Sequence, residues 1–434
     1  MGQIRRWVLV AAVVVLAAGF SFAQSDSGKV KISFIHFFKQ DDPNADANNK
    51  TFYQMFARFR AANPGVDFDV EDMVHDTYET KMKTLAAGNE MPDLFLIKGS
   101  WIDNFISNGL VKPVNAMLDS NPGWRDNFNA GAFDEFKRNG SDIYGIPFQL
   151  FSTHLVLYNS AVFAKAGIKT FPKTWKEFES AIAALKAKGY TPISLGNKAK
   201  WVAESCILST LGDRFTGSAW FYSVRDRKGA KFTDPDFVKA LDAFQALAKT
   251  GAFNSDLNSI DDNQQKTLYI NGKSAMFMDG AWSIPVLISI APPDVVKSTH
   301  LAVLPSVPGG KGDPNSASGG SGWGYAINAS VTPEKEKAIG KLIAALTGAE
   351  AARATIENNG QPAGRTASYD KSKVAPLSNE YFSLVSKLKF TPIYDIQLNA
   401  PIIEVMNSGL QELLIGAVSP QQLAARIQAE YEQQ

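Results

Sequence analysis

Residues 270–282, "INGKSAMFMDGAW", pose the first chemical question in this chain of 434 residues. Gly272-Lys273-Ser274 would close a phosphate-binding loop if a glycine stood five residues before Gly272, because backbone N–H groups must wrap the phosphates. Thr267 stands there, and the bulky "LYIN" that follows it disfavours so tight a loop. The triplet therefore reads as a turn ahead of a strand, "AMFM". In "GGSGWGYA" the dinucleotide fingerprint also fails, since Tyr325 occupies the place of the third glycine after Gly320 and Gly322. Neither a nucleophile elbow nor an H-E-x-x-H helix occurs. The four histidines, His36, His75, His154 and His300, lie far apart and lack ligand spacing. Asp42, Asn44 and Asp46 alternate as calcium ligands do, but Ala47 replaces the required glycine and Tyr53 the bidentate glutamate. No metal or cofactor is expected. A glycoside hydrolase needs only two carboxylates facing one bond, and no local signature selects two from the 43 acidic residues.

The aromatic residues carry more information. Trp175 has a helix-core explanation, and Trp124 and Trp220 sit in ordinary apolar contexts. Trp101, Trp201, Trp282 and Trp323 each lie beside turn residues at expected strand ends. Each alone reads as the cap of a small satellite core. Together they point to the carboxyl ends of strands, where open α/β sheets bind ligands. A flat ring suits the C–H face of a sugar while neighbouring polar groups bond its hydroxyls. Asp279, Glu204, Asn197 and Arg365 are near enough in sequence to serve.

The elements that must position these residues follow from periodicity. "KVKISFIHFF" alternates and reads as a strand. Phe52, Met55, Phe56 and Phe59 share one helix face, "NPG" stops that helix, and "VDFDVEDM" is a second strand. A helix through Tyr78 to Ala87 ends at Gly88, and "PDLFLI" is a continuously apolar third strand. Strands alternating with helices imply parallel sheets covered on both faces. Thr174 with Glu177 and Ser419 with Gln422 are capping boxes, while Asp234-Pro235 and Thr332-Pro333 open two further helices. "PGGKGDPNSASGGSGWG" is a Gly/Ser-rich connection. The length calls for two lobes.

Composition bounds the rest. The formal net charge of +1, with 45% hydrophobic and 20% charged residues, describes a globular protein with no electrostatic pull toward nucleic acid. Arg5 and Arg6 precede "WVLVAAVVVLAAGF" and then Ser21-Phe22-Ala23, the pattern of a signal peptide cleaved after Ala23. The apolar run, about 14 residues, is too short to span a bilayer. The arginine pair leaves twin-arginine export open beside the general route. Cys206 is the only cysteine, so the chain carries neither an internal disulfide nor a lipid-modified N-terminus. A soluble periplasmic protein is expected.

Seven segments in order, "FARFRAANPGVDFDVED", "YETKMKTLAAGNEMPDLFLI", "ISNGLVKPVNAML", "IYGIPFQLFSTHLVLYNSAVFAKAGI", "PKTWKEFESAI", "INGKSAMFMDGAW" and "GGSGWGYAI", resemble the extracellular solute-binding proteins of sugar ABC importers, the maltose-binding-like family 1. The resemblance covers most of the chain beyond the leader. It implies an α/β, two-lobed periplasmic-binding-protein fold of type II, each lobe a mostly parallel sheet flanked by helices, with the ligand in the interlobe cleft. By that analogy residues 1–23 are the signal peptide, 24–150 plus 300–355 the N-terminal lobe, and 151–299 plus 356–434 the C-terminal lobe. Crossings are expected near Gln149 to Thr153, in the Gly/Ser-rich connection, and near Glu357 to Arg365. The resemblance implies a monomer without catalysis that takes a carbohydrate ligand and docks on membrane permease subunits. It makes Trp282 a stacking platform and Asp279 an acceptor for sugar hydroxyls. Trp323, Arg365, Ser152, Trp201 and Glu204 follow as contacts, then Phe38, Lys39, Trp101 and Asp76. For the late aromatic wall there is no clear match, only Tyr394, Asp395 and Gln397. A polyamine or ferric-ion protein of similar fold is the alternative, though the chain has no Tyr-Tyr pair; an exported hydrolase ranks behind both.

Overall fold

A computed structural model describes residues 28–41, 47–128, 131–148, 153–361, 364–365 and 367–434. The signal-peptide reading, the Asp42–Asp46 loop and Ser152 lie outside the described residues.

The β-branched and aromatic residues of Val30–His36 form a strand that pairs in parallel with Val66–Asp72 and with Leu94–Lys98. Leu94–Lys98 is buried at every position, as its unbroken apolar run requires. Between the first two strands the helix Ala47–Ala62 turns Phe52, Met55, Phe56 and Phe59 inward. The helix His75–Gly88 starts three residues earlier than its apolar spacing indicates, and Asn89 ends it in the left-handed region at φ 56°. Trp323–Ile327 completes the sheet antiparallel to Leu94–Lys98, with Ile146–Pro147 antiparallel beside it.

A second sheet has the order Thr299–Ala302, His154–Asn159, Ser274–Gly280, Thr191–Ser194. Its first two pairings are antiparallel and the last is parallel. Both sheets are therefore mixed rather than mostly parallel. In the first sheet the physical reason lies in the connection: the chain reaches Trp323–Ile327 from the core of the second sheet, where Ala317 packs, and enters from the end opposite to Leu94–Lys98.

Helix ends follow the expected chemistry. Thr174 with Glu177 and Ser419 with Gln422 form complete capping boxes, and Asp261 with Gln264 forms another. Thr332 accepts a hydrogen bond from the Lys335 amide. Asp234 precedes its proline without a side-chain cap bond.

Buried apolar side chains separate into distinct cores. One gathers residues from Ile32 to Phe148 and from Trp323 to Ile343. The others draw on Leu155 to Ala317 and on Leu377 to Tyr431. Leu301, Leu304, Val307 and Ala317 pack in the second group, so the chain after residue 300 runs on that side. It returns to the first sheet only at Trp323, later than the residue-300 boundary expected from sequence. Ser316–Ser318 pairs in parallel with Lys389–Thr391 next to this crossing.

Candidate functional site

Elements of both cores end at one cavity of about 370 Å³, within the range of small-molecule sites. From the first core, the end of Val30–His36 supplies Phe37 and Phe38, the first turn of His75–Gly88 supplies His75, Asp76 and Glu79, and Leu94–Lys98 ends in Lys98. From the second, Trp282 follows the strand Ser274–Gly280, while Trp201 opens the helical segment that passes through a π-helical stretch at Ala203–Leu208. Gly322 and Trp323 enter at the crossing, and Ile393, Asp395 and Ile396 close the wall. Phe37, Lys98 and Trp282 stand at the carboxyl ends of their strands, as the general rule for α/β sheets requires, whereas Trp323 reaches the same edge as the first residue of an antiparallel strand.

The rings are arranged edge to face. Trp323 stands perpendicular to Trp101 at 5.2 Å and to His75 at 5.5 Å, with Phe37 at 5.0 Å. On the facing side Trp282 lies 5.9 Å from Trp201 and 5.6 Å from His154. Gly280 is where it is because a Cβ there would sit 2.0 Å from the Trp282 ring. His154 holds Ser318 Oγ at 2.7 Å through Nδ1, while its Nε2 has no partner. Burial lowers its pKa to about 4, so the imidazole is neutral.

A charged chain runs through the cavity and joins the cores. Lys98 Nζ donates to Glu79 at 2.7 Å and lies 3.6 Å from Asp395. It also sits over the Trp101 and Trp323 rings at 5.6 and 5.5 Å. Burial opposes its charge, but the two carboxylates outweigh burial and hold its pKa above the ordinary lysine value. Burial likewise pushes Glu79 up, yet Lys98 and His75 bring it below its usual range. Asp395 stays raised, because burial and the nearby Glu79 charge exceed the help from Lys98. Trp201 Nε1 donates to Asp76 Oδ1 at 3.2 Å, a second link between the cores, and Asp76 also pairs with His75 at 3.0 Å. Burial pulls His75 down, and the bond to Asp76 with the Glu79 charge more than reverses that.

Of the residues singled out from sequence, Trp282, Trp323, Trp201, Phe38 and Asp76 line this cavity. Others do not. Asp279 is fully buried behind Trp282. Its oxygens take Ser283 Oγ at 2.6 Å, the Gly280 amide at 2.8 Å and Lys266 Nζ at 3.3 Å. It secures the strand end and does not face the cavity, because the strand's alternation turns it toward the helix Asp262–Ile270. Glu204 is also fully buried, accepts from Ser209 Oγ at 3.0 Å, and has its pKa pushed well above the usual carboxylate range by burial and the nearby Asp395. Trp101 backs Trp323 from inside the core. Lys39 is drawn to Asp72 at 3.6 Å on the surface. Arg365 bridges in the backbone to Phe128 and reaches Thr347 O, away from the cavity. Of the three residues in the doubtful wall, only Asp395 reaches it.

Sequence reasoning missed Glu79, Lys98, His75 and His154. A signal existed for the first three: positions 75, 76 and 79 share a face in the first turn of a helix, and Lys98 is the one polar residue ending an apolar strand. His154 carries no such mark. Among the described residues no group of three or more His, Cys, Asp or Glu side chains is placed to hold a metal.

A family profile described as bacterial extracellular solute-binding protein matches residues 43–353. A multiple sugar-binding protein of Streptococcus mutans is 24% identical over 292 residues, 63% of each chain. A binding protein of Brucella abortus is 23% identical over 283 residues, again 63% of each. The matched region thus spans less than two thirds of these relatives' length. Among solved structures, a chitin oligosaccharide binding protein aligns with 93% of this chain and 98% of its own at a TM-score of 0.85 and 24% identity. The maltose-bound MalE3 of T. maritima covers 93% and 99% at a TM-score of 0.75 and 20% identity. At such identities the likeness speaks for the fold alone.

Proposed function

The chain belongs to the bacterial extracellular solute-binding proteins and has a two-lobed, type II periplasmic-binding fold; on that premise we propose that it captures a mono- or oligosaccharide and delivers it to the permease subunits of an ABC importer. The observation that carries the reading is the cavity itself: Trp282 and Trp201 from one core face Trp323 and Phe37 from the other, with carboxylates and amides between them. Indole faces match the C–H faces of pyranose rings, and the intervening acceptors match their hydroxyls. The relatives named as sugar-binding agree with this chemistry.

The lobes in this reading comprise residues 24–150 with about 322–355, and the remainder, and ligand stabilises their closure by contacting both. The chain binds as a monomer without turnover and works outside the cytoplasm after removal of residues 1–23. No helix among the described residues is long and apolar enough to cross a membrane. The acid-lined wall favours one second reading, a polyamine ligand. Lys98 counts against it, because an ammonium already occupies the space between Glu79 and Asp395.

A carbohydrate panel followed by intrinsic tryptophan fluorescence and thermal shift tests the proposal, since any ligand of the native state raises its apparent stability. Trp282→Ala should weaken saccharide binding about 30-fold, the usual cost of about 2 kcal/mol for losing an aromatic anchor. The variant should melt like the parent, because Trp282 is only partly buried. Unaltered affinity would remove Trp282 from the site, and release of cleavage products would replace transport by hydrolysis.

A further inference from the structure

We infer that the site is selective by charge: it accepts saccharides without anionic substituents and rejects uronates and sugar phosphates. This deepens the saccharide reading and rests on it. Among the described residues Lys98 is the sole lysine or arginine lining the cavity, and it is fully committed. Glu79 and Asp395 flank its ammonium at 2.7 and 3.6 Å, and two indole rings cover it. An incoming carboxylate or phosphate would leave water and find no unshared cation. It would instead meet the Asp76 and Glu79 carboxylates, which their partners hold ionised, in a partly desolvated space, where like charges repel more strongly than in water.

Two other anion receptors are also closed. The helix Asp262–Ile270 points its N-terminus at the cavity, but Asp261 Oδ1 takes the Gln264 amide at 2.9 Å and adds a negative charge at that end. Lys266, one turn in, is bound by Asp262 and Asp279. The hydroxyls of a neutral sugar face no such obstacle, since carboxylates accept hydrogen bonds from them without a change in net charge.

The test uses the full mature chain and calorimetric titration with matched pairs that differ only at C6: glucose and glucuronate, galactose and galacturonate, and their β-1,4-linked disaccharides. For each pair with a binding member, the neutral sugar should bind at least about 100-fold more tightly than its uronate, about 2.7 kcal/mol. Equal binding within a pair, to within about threefold, overturns charge selectivity and leaves the saccharide reading intact. Binding of spermidine with none of the sugars overturns both. Glu79→Gln provides the second arm, because it removes one carboxylate and frees part of the Lys98 ammonium. The ratio of uronate to neutral affinity should rise about tenfold, or 1.4 kcal/mol. A ratio unmoved by this isosteric change would show that Lys98 pairing does not set the selectivity.

Discussion

At the scale of single residues, neighbours decide chemistry more than residue type does. Asp279 and Asp76 are both aspartates expected to meet the ligand, yet one is sealed against Lys266 and the other lines the cavity. Asp76 also receives the Trp201 indole N–H from the opposite core. Trp201→Phe keeps the ring and deletes this donor. A hydrogen bond to a charged group contributes about 1.5–3 kcal/mol, and partial exposure of Asp76 moves the value toward the low end. Saccharide affinity should therefore fall about tenfold, measured by calorimetry. If affinity does not move, the cross-core bond has no part in closure. Trp201, Trp282 and Trp323 were legible as a group because indole rings beside turn residues fall at the ends of elements, and these three meet at one cavity, whereas Trp101 packs behind Trp323. The roles of Asp279, Glu204 and Arg365 were not, because side-chain direction at a strand end or crossing depends on packing partners far away in sequence.

At the scale of elements, the glycine-rich turn ahead of Trp323–Ile327 illustrates how a platform is held. Glu135 accepts the Gly322 amide at 2.7 Å, and a Cβ on Gly320 would lie 1.8 Å from the Glu135 carboxylate. Burial against this turn, with Asp395 and Asp134 nearby, pushes the Glu135 pKa up to about 7 from the usual 4.5. A folded-state pKa above the unfolded one stabilises the fold fully below pH 4.5, and that contribution is lost as pH rises through 7. Relative to Glu135→Gln, the wild-type protein should lose about 1–2 kcal/mol between pH 5 and 8, allowing for the partial exposure of the side chain. Paired thermal melts across that range check this, and a pH-independent gap between the two proteins would refute the linkage. Helices, caps and strand positions were legible, since propensity and capping act within a few residues. Strand direction was not, because it depends on where a crossing delivers the chain.

At the scale of the whole molecule, two cores share one cavity and are tied across it by Lys98 with Asp395 and by Trp201 with Asp76. Small-angle scattering should give a larger radius of gyration for the ligand-free chain than for the saccharide-bound one, with the bound curve matching the arrangement described above. Identical curves at saturating saccharide would remove lobe closure from the mechanism. What the sequence determined by itself was local or cumulative: an α/β chain of two lobes, its capping boxes at Thr174 and Ser419, the family, and aromatic residues beside turns. Tertiary structure alone decided which polar residues face the cavity, that residues 300–318 stay with the second core, and that Lys98 is saturated by carboxylates drawn from both cores. The physical reason is that burial and pairing are properties of three-dimensional neighbours: Glu79 and Asp395, hundreds of positions apart in the chain, meet at one ammonium only after both cores have folded.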